Sequence, residues 1–121
     1  MYKVMVTESA HMDIRESVRY IAEELQNPIA AGRLLNDAYN AIDSLEEMPQ
    51  RHALVKNELL ARLGFLFIPV RKYLIFYIVR EDTRSVTVER FLHGRRNWMN
   101  IIGEQYLLSS KTLHLDKDVL A

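Results

Sequence analysis

The sequence contains no cysteine, only four glycines and only three prolines among 121 residues. The lack of cysteine excludes disulfides, zinc–thiolate sites and a thiol nucleophile. The longest apolar run is far below the ~20 residues that a membrane helix needs. The first residues, M-Y-K-V-M-V-T-E, lack the hydrophobic segment of a signal peptide. We therefore expect a cytoplasmic protein that has no contact with a membrane.

Metal and cofactor chemistry is not indicated by the other polar residues. His11, His52 and His114 are isolated in the sequence, and neither an H-E-x-x-H motif nor an aspartate cluster occurs. The scattered glycines form no phosphate-binding loop. The sequence therefore predicts neither a metal nor a cofactor.

Charge is unevenly distributed, although the formal net charge is zero. Residues 1–60 contain six Lys and Arg against ten Asp and Glu, whereas residues 65–100 contain seven against three. A local basic field can bind an anionic partner whatever the total charge. The alternative is that these basic residues lie on a solvated sheet edge, where they oppose edge-to-edge pairing.

The first half of the chain predicts a strand followed by a helix hairpin. Residues 2–7 alternate as a half-buried strand does, and Thr7 or Ser9 can cap a helix that ends at Gln26. Asn27 and Pro28 then favour the N-cap and first turn of a second helix, which Met48 and Pro49 close. Because the connection is so short, the two helices should pack antiparallel.

The second half predicts antiparallel strands. After a short helix at 58–63, the apolar run 73–79 and the partly alternating run 86–91 are separated by a polar hairpin connection at 81–84. Asn97 can cap a third helix that packs on the core through Trp98, Ile101, Ile102 and Tyr106. The expected fold is therefore α+β: an N-terminal strand, an antiparallel helix hairpin, a three-stranded antiparallel sheet and a short C-terminal helix. One face of this sheet could remain open to water or a partner.

The last strand runs directly into His93-Gly94-Arg95-Arg96. A strand end is rigid, so one histidine and two guanidinium groups could be aimed at a single ligand. Equally, His93 could cap the strand and the arginines could be surface residues.

Several motifs, in order, resemble the RelE/ParE superfamily of bacterial type II toxins. They are Y-K-V-x-V-T, Y-I-A-x-x-L-x-N-P, A-A-x-R-L-L, S-L-x-x-M-P, V-R-K-Y-L-I-F-Y and V-x-V-x-R-x-L-H-G-R-R-N-W, and they span about residues 2–102. The resemblance implies a microbial-RNase-like α+β domain at 1–103, followed by a tail at 104–121 of unassigned role. The long helix hairpin looks more like the ParE-like branch.

The resemblance also implies a function. A cognate antitoxin would neutralise the chain in a hetero-oligomer in the bacterial cytoplasm, and growth arrest would follow from ribosome-dependent mRNA cleavage or from poisoning of DNA gyrase. One position departs from the family: Leu66 stands where a G-x-R pattern commonly has an arginine. This departure puts nuclease activity in doubt and leaves a third possibility, an inactive relative that only binds the antitoxin and tunes repression of its operon.

RNA cleavage without a metal would need a base, an acid and cations that stabilise the phosphorane. The candidate catalytic residues are His93, Arg95, Arg96 and Lys72, which leaves open whether the chain is an enzyme. Candidate contacts to nucleic acid or another target are Arg71, Tyr73, Tyr77 and Arg90. The tyrosines share one strand face and could instead be core residues, and Arg90 could pair with Glu89 or Asp82. Leu66, Phe67 and Phe91 would contribute to the antitoxin-binding surface if they are exposed.

Overall fold

The computed structural model describes residues 1–55, 58–98 and 100–103. The elements in chain order are β1 (Lys3–Val6), α1 (Glu8–Arg19), α2 (Pro28–Asp43), β2 (Ala53–Leu54), α3 (Glu58–Arg62), β3 (Phe65–Val70), β4 (Tyr73–Arg80) and β5 (Ser85–His93). Residues 98 and 100–103 are also helical. The α+β prediction is confirmed. The predictions for Tyr106 and for the tail at 104–121 lie outside the described residues.

The first helix begins as the sequence predicts but ends differently. The Thr7 hydroxyl accepts a hydrogen bond from the amide of Ala10 at 3.1 Å, so Thr7 rather than Ser9 is the N-cap. Regular α1 stops at Arg19 and continues as a π-helical turn over Tyr20–Glu24. The chain then reverses at Gln26, where φ is 49°. The expected end of the helical segment is thus nearly right, but its last turn is wider than an α-helix.

The second helix starts at the predicted cap and stops earlier than predicted. The Asn27 side chain accepts from the amide of Ala30 at 3.1 Å, and Pro28 occupies the first turn, where its missing N–H costs nothing. The α-helix ends at Asp43 and is followed by a 3-10 turn over Ser44–Glu46. Met48 adopts a left-handed conformation, at φ 49° and ψ 54°, immediately before Pro49.

The sheet has five strands in the order β1-β5-β4-β3-β2. β1 pairs with β5 in parallel, and the other pairs are antiparallel. The three predicted antiparallel strands are therefore present as β3, β4 and β5. β2 was not predicted, because two residues are too few to show a periodic pattern.

The sheet is covered on both faces, so the expectation of an open face was wrong. One face packs under α1 and α2, with Ile14, Leu34, Ile75 and Tyr77 in the shared core. The opposite face packs against α3 and the helical residues after β5, through Leu60, Phe76, Leu92 and Ile102. Trp98 and Ile101 join this second core as predicted. Each large apolar side chain buried in this way contributes about 1.5–3 kcal/mol.

A β-bulge shifts the pairing of β4 and β5. Phe76 pairs with Arg90, whereas the next residue, Tyr77, pairs with Val88, so Glu89 is the extra residue. The hydroxyl of Thr7 donates to the carbonyl oxygen of Glu89 at 2.9 Å. The start of α1 is thereby attached to the part of β5 that leads to His93.

Candidate functional site

Two turns bring the predicted basic residues to one end of the sheet. Arg71 and Lys72 form the turn between β3 and β4, and Arg71 adopts the left-handed conformation at φ 55°. The amide of Gly94, just after β5, donates to the carbonyl oxygen of Lys72 at 2.8 Å. We call Arg71, Lys72, His93, Arg95 and Arg96 the basic sheet end.

His93 is held by its neighbours at the end of β5. It pairs across the strands with Tyr73, and the two rings meet edge to face with centroids 5.1 Å apart. The other neighbour of Tyr73 is Phe91, whose ring stacks on it at 4.9 Å. The backbone amide of Arg95 donates to Nδ1 of His93 at 3.0 Å.

This last hydrogen bond fixes the protonation pattern of the ring. An amide N–H can only donate, so Nδ1 must accept with its lone pair and the ring proton lies on Nε2. With this hydrogen bond made, His93 presents its Nε2–H as a donor to a ligand. In this conformation it has no free nitrogen with which to accept a proton, so it cannot serve as a general base.

The cations of the basic sheet end differ in how they are paired. The Arg71 Nε lies 2.6 Å from the Asp37 carboxylate of α2, in a pair that is about half exposed. Lys72, Arg95 and Arg96 are exposed and form no ion pair among the residues that the structure describes. These three positive charges are therefore available to a partner.

Arg90 is a structural residue rather than an exposed contact. Its guanidinium donates to the Asp13 carboxylate from Nε at 2.7 Å and from Nη2 at 2.9 Å, and the Phe91 amide donates to the same carboxylate at 3.0 Å. The hydrogen bond to Asp13 raises the pKa of Arg90. The two side chains are only 18% and 10% exposed. This partner, Asp13 of α1, is distant in sequence and was not among the predicted partners, Glu89 and Asp82.

Two cavities meet at the basic sheet end. The first, of about 340 Å³, is lined by Asp13, Glu16, Ser17, Tyr20, Tyr73, Phe91, Leu92, His93 and Arg96. The second, of about 350 Å³, is lined by Tyr20, Ile21, Leu25, Asn27, Ala30, Leu34, Arg71, Lys72, Tyr73 and His93. Tyr20, Tyr73 and His93 line both. Arg95 lines neither cavity, although its backbone orients His93.

The two candidate stacking tyrosines lie in different environments. Tyr77 is fully buried, and its hydroxyl donates to the carbonyl oxygen of Pro49 at 2.6 Å. Burial raises its pKa, because the charged form would lose its hydration. Tyr77 is therefore a core residue in this structure, whereas Tyr73 is only partly buried and borders both cavities.

The expected antitoxin surface required exposed apolar side chains. Leu66 and Phe91 are buried in the core under the helix hairpin, and Phe67 is partly buried in the opposite core. Leu66 and Phe91 are therefore not exposed, as their predicted role in the antitoxin-binding surface required. Two exposed apolar residues, Tyr20 and Leu25, line the cavities at the basic sheet end, and their exposed fractions are 53% and 57%.

Tyr20 was not among the site residues predicted from the sequence. It lies on the predicted first helix but outside the apolar positions with three-four spacing, which are Ala10, Ile14, Val18, Ile21 and Leu25. The π-helical turn makes this segment wider than an α-helix and is the kind of feature that often occurs at functional sites. The Y-I-A segment of the family resemblance was the only signal that pointed to it.

Within the described part of the chain, no group of three or more histidine and carboxylate side chains could hold a metal ion. Over the same residues, no helix has both the length and the apolar character needed to cross a membrane.

Comparison with known proteins relates this architecture to toxins. The family described as ParE toxin of type II toxin-antitoxin system, parDE, matches residues 4–98. No curated protein matches the sequence. The family match does not favour the possibility of an inactive relative.

Solved structures share the fold at low identity. The chain is similar to the chromosomal ParDE system from P. aeruginosa, with 15% identity, a TM-score of 0.62, and coverage of 77% of this chain and 96% of that chain. It is also similar to the toxin-antitoxin complex RelBE2 from Mycobacterium tuberculosis, with 19% identity, a TM-score of 0.52, and coverage of 76% and 90%. It is similar as well to the archaeal RelE-RelB complex from Pyrococcus horikoshii, with 12% identity, a TM-score of 0.51, and coverage of 78% of this chain and 97% of that chain. At such identities the likeness concerns the fold.

Proposed function

The chain belongs to the ParE toxin family of type II toxin-antitoxin systems, and from this premise we propose that it arrests bacterial growth by binding DNA gyrase through the basic sheet end, without cleaving RNA itself. Growth arrest through gyrase is the mode that the ParE-like resemblance implies. The residues of the site support a binding role more than a catalytic one.

The observation that carries the proposal is the hydrogen bond from the Arg95 amide to Nδ1 of His93. Metal-independent RNA cleavage needs a base that takes a proton from the 2′-hydroxyl. His93 was the candidate acid or base, and with Nδ1 accepting from the Arg95 amide it has no nitrogen left to act as that base in this conformation. The cations around it can still bind an anionic surface, because binding requires no proton transfer.

The position of Leu66 supports the same conclusion. In the resemblance this strand position commonly carries an arginine, and a cation there would contact the scissile phosphate. Leu66 is buried beneath the helix hairpin instead, so β3 contributes no charge to the site. Lys72 and Arg96 lie on turns, from which they can reach a large partner.

Neutralisation by an antitoxin is part of the proposal. The similar solved structures are toxin-antitoxin complexes, and we expect this chain to form such a hetero-oligomer in the cytoplasm. An antitoxin segment that combines acidic and apolar side chains would satisfy Lys72 and Arg96 while covering Tyr20 and Leu25. Covering these residues would block access of the target.

Induction of the chain alone in bacteria, with separate readouts of plasmid supercoiling and of protein synthesis, tests the function. We expect growth to stop, supercoiling to fall first and translated mRNA to remain intact. Rapid mRNA cleavage with normal supercoiling would support a ribosome-dependent nuclease instead. Continued growth would support an inactive relative. Coexpression of an antitoxin should restore growth in the first two cases.

A further inference from the structure

We propose that the basic sheet end binds a phosphodiester of an unpaired nucleic acid strand, with His93 as a fixed hydrogen-bond donor and Lys72 and Arg96 as the phosphate-neutralising cations. This proposal rests on the proposed function and deepens it. In the complex with gyrase and DNA, the toxin would contact an unpaired DNA strand as well as the gyrase protein. The strand is bound and not cleaved.

The cations provide the first argument. Lys72 lies on the β3–β4 turn and Arg96 follows β5, and the hydrogen bond from Gly94 to Lys72 holds these two turns together. Neither side chain has an ion-pair partner among the described residues, whereas Arg71 and Arg90 each have a carboxylate. Lys72 borders one cavity and Arg96 the other. An anion between them would face positive charge from both sides.

His93 provides the second argument, because its orientation selects the kind of ligand. It lies where the two cavities meet, and its Nδ1 is occupied by the Arg95 amide. Its Nε2–H can only donate. A fully ionised phosphodiester accepts such a bond through either free oxygen, whereas a ligand that offers a donor at this point would be rejected.

The aromatic rings distinguish a nucleic acid from a simple anion. Tyr20 is 53% exposed, and it borders both cavities together with Tyr73. Phe91 stacks on Tyr73 and the His93 ring meets it edge to face, so Tyr20 is the ring that offers more free surface to a base. Cations that follow a strand, combined with aromatic rings for its bases, are the usual elements of single-strand binding. Stacking of a base on an aromatic ring requires a base that is not paired, so we infer an unpaired strand.

An acidic protein segment is the competing ligand. Glu16 lines the first cavity and Asp37 holds Arg71 at the rim of the second. Arg71 offsets the charge of Asp37, but a segment made of carboxylates alone would meet Glu16 without a gap between its charges. In a nucleic acid strand, and in an antitoxin segment of mixed acidic and apolar residues, the charges are separated by neutral groups that can lie against this wall. We therefore favour the strand over a purely acidic segment.

The test is fluorescence anisotropy of a labelled oligo(dT) hexamer with the purified full-length chain at several salt concentrations. We expect binding that weakens with salt, and we expect Lys72→Gln and Arg96→Gln each to weaken it at least about tenfold, the loss of one charge-assisted contact. Each variant should also reduce the salt slope by about 0.7, the value for one phosphate on a single strand. Arg80→Gln is the matched control, because Arg80 is an exposed cation at the opposite end of β4.

Three results would overturn the proposal. They are no binding of the hexamer at low salt, equal losses for Arg80→Gln and Arg96→Gln, or tighter binding of an unstructured acidic peptide of equal charge than of the hexamer. Neither gyrase nor ribosomes are present in this assay. The binding assay therefore still tests the hexamer proposal if the chain does not inhibit gyrase. Likewise, a lack of hexamer binding would not by itself contradict inhibition of gyrase.

The role of His93 is tested separately with two variants. His93→Gln keeps an N–H donor and should bind the hexamer within about threefold of the unmodified chain, whereas His93→Phe keeps a ring beside Tyr73 and should lose at least about tenfold. Nitrogen-15 NMR of the imidazole should show the proton on Nε2 before and after the hexamer is added. Equal affinity of both variants, or a proton on Nδ1, would contradict the assigned donor role.

Discussion

The Arg90 guanidinium donates two hydrogen bonds to the Asp13 carboxylate, at 2.7 and 2.9 Å, and so joins β5 to α1 beside the candidate site. Because both side chains are mostly buried, removing the Asp13 charge takes away most of the compensation for the Arg90 guanidinium. We expect Asp13→Asn to lower the free energy of unfolding by about 3 kcal/mol in chemical denaturation.

The exposed pair Arg71–Asp37 is the matched control for this prediction. It is short, at 2.6 Å, but about half exposed, and exposed pairs typically contribute less than about 1 kcal/mol. Asp37→Asn should therefore cost much less than Asp13→Asn. Equal costs would show that burial does not set the strength of the Asp13–Arg90 pair.

Tyr77 should behave as a core residue. Tyr77→Phe removes the hydroxyl that donates to Pro49 and leaves that carbonyl oxygen unsatisfied, so we expect a loss of about 1–2 kcal/mol in the free energy of unfolding. Tyr20→Phe, at an exposed position, should change stability by less than about 0.5 kcal/mol. A loss of target inhibition by Tyr77→Phe at unchanged stability would instead assign Tyr77 to the site.

His52 should make stability depend on pH. Its ring meets Tyr77 edge to face at 6.3 Å, and burial together with the nearby Arg51 charge lowers its pKa from 6.5. A lowered pKa means that the unfolded chain binds this proton more tightly than the folded chain does. The contribution is therefore present above pH 6.5 and is lost as the pH falls through the folded-state value.

Denaturation series at pH values on both sides of 6.5 test this sign. The free energy of unfolding should fall toward acid pH, and His52→Gln should reduce that fall. A steeper fall in the variant would show that the folded chain binds the proton more tightly, contrary to the expected direction.

The sequence predicted those features of the fold that depend on local chemistry. Asn27 and Pro28 gave the start of α2, and the polar residues 81–84 gave the β4–β5 hairpin, because capping and turn formation need only a few neighbouring residues. The π-helical turn and the left-handed Gln26 were not predicted. They depend on how the hairpin packs on the sheet, which no local pattern records.

The candidate site was predicted in part for the same reason. His93, Arg95 and Arg96 were proposed from their position at the end of a strand, and Lys72 as an additional cation. The structure places His93, Arg96 and Lys72 around two cavities, whereas Arg95 lines neither. The partner of Arg90 could not be predicted, because Asp13 is 77 positions away in sequence. The proton position on His93 likewise depends on a backbone turn that composition does not reveal.

Supercoiling by purified gyrase in the presence of the chain tests the central claim most directly. The account predicts that the unmodified chain inhibits supercoiling, that Arg80→Gln inhibits equally well, and that Arg96→Gln needs at least about tenfold more protein for the same inhibition, as expected for one lost charged contact. An unaltered topoisomer ladder with the unmodified chain, or equal inhibition by both variants, would contradict it.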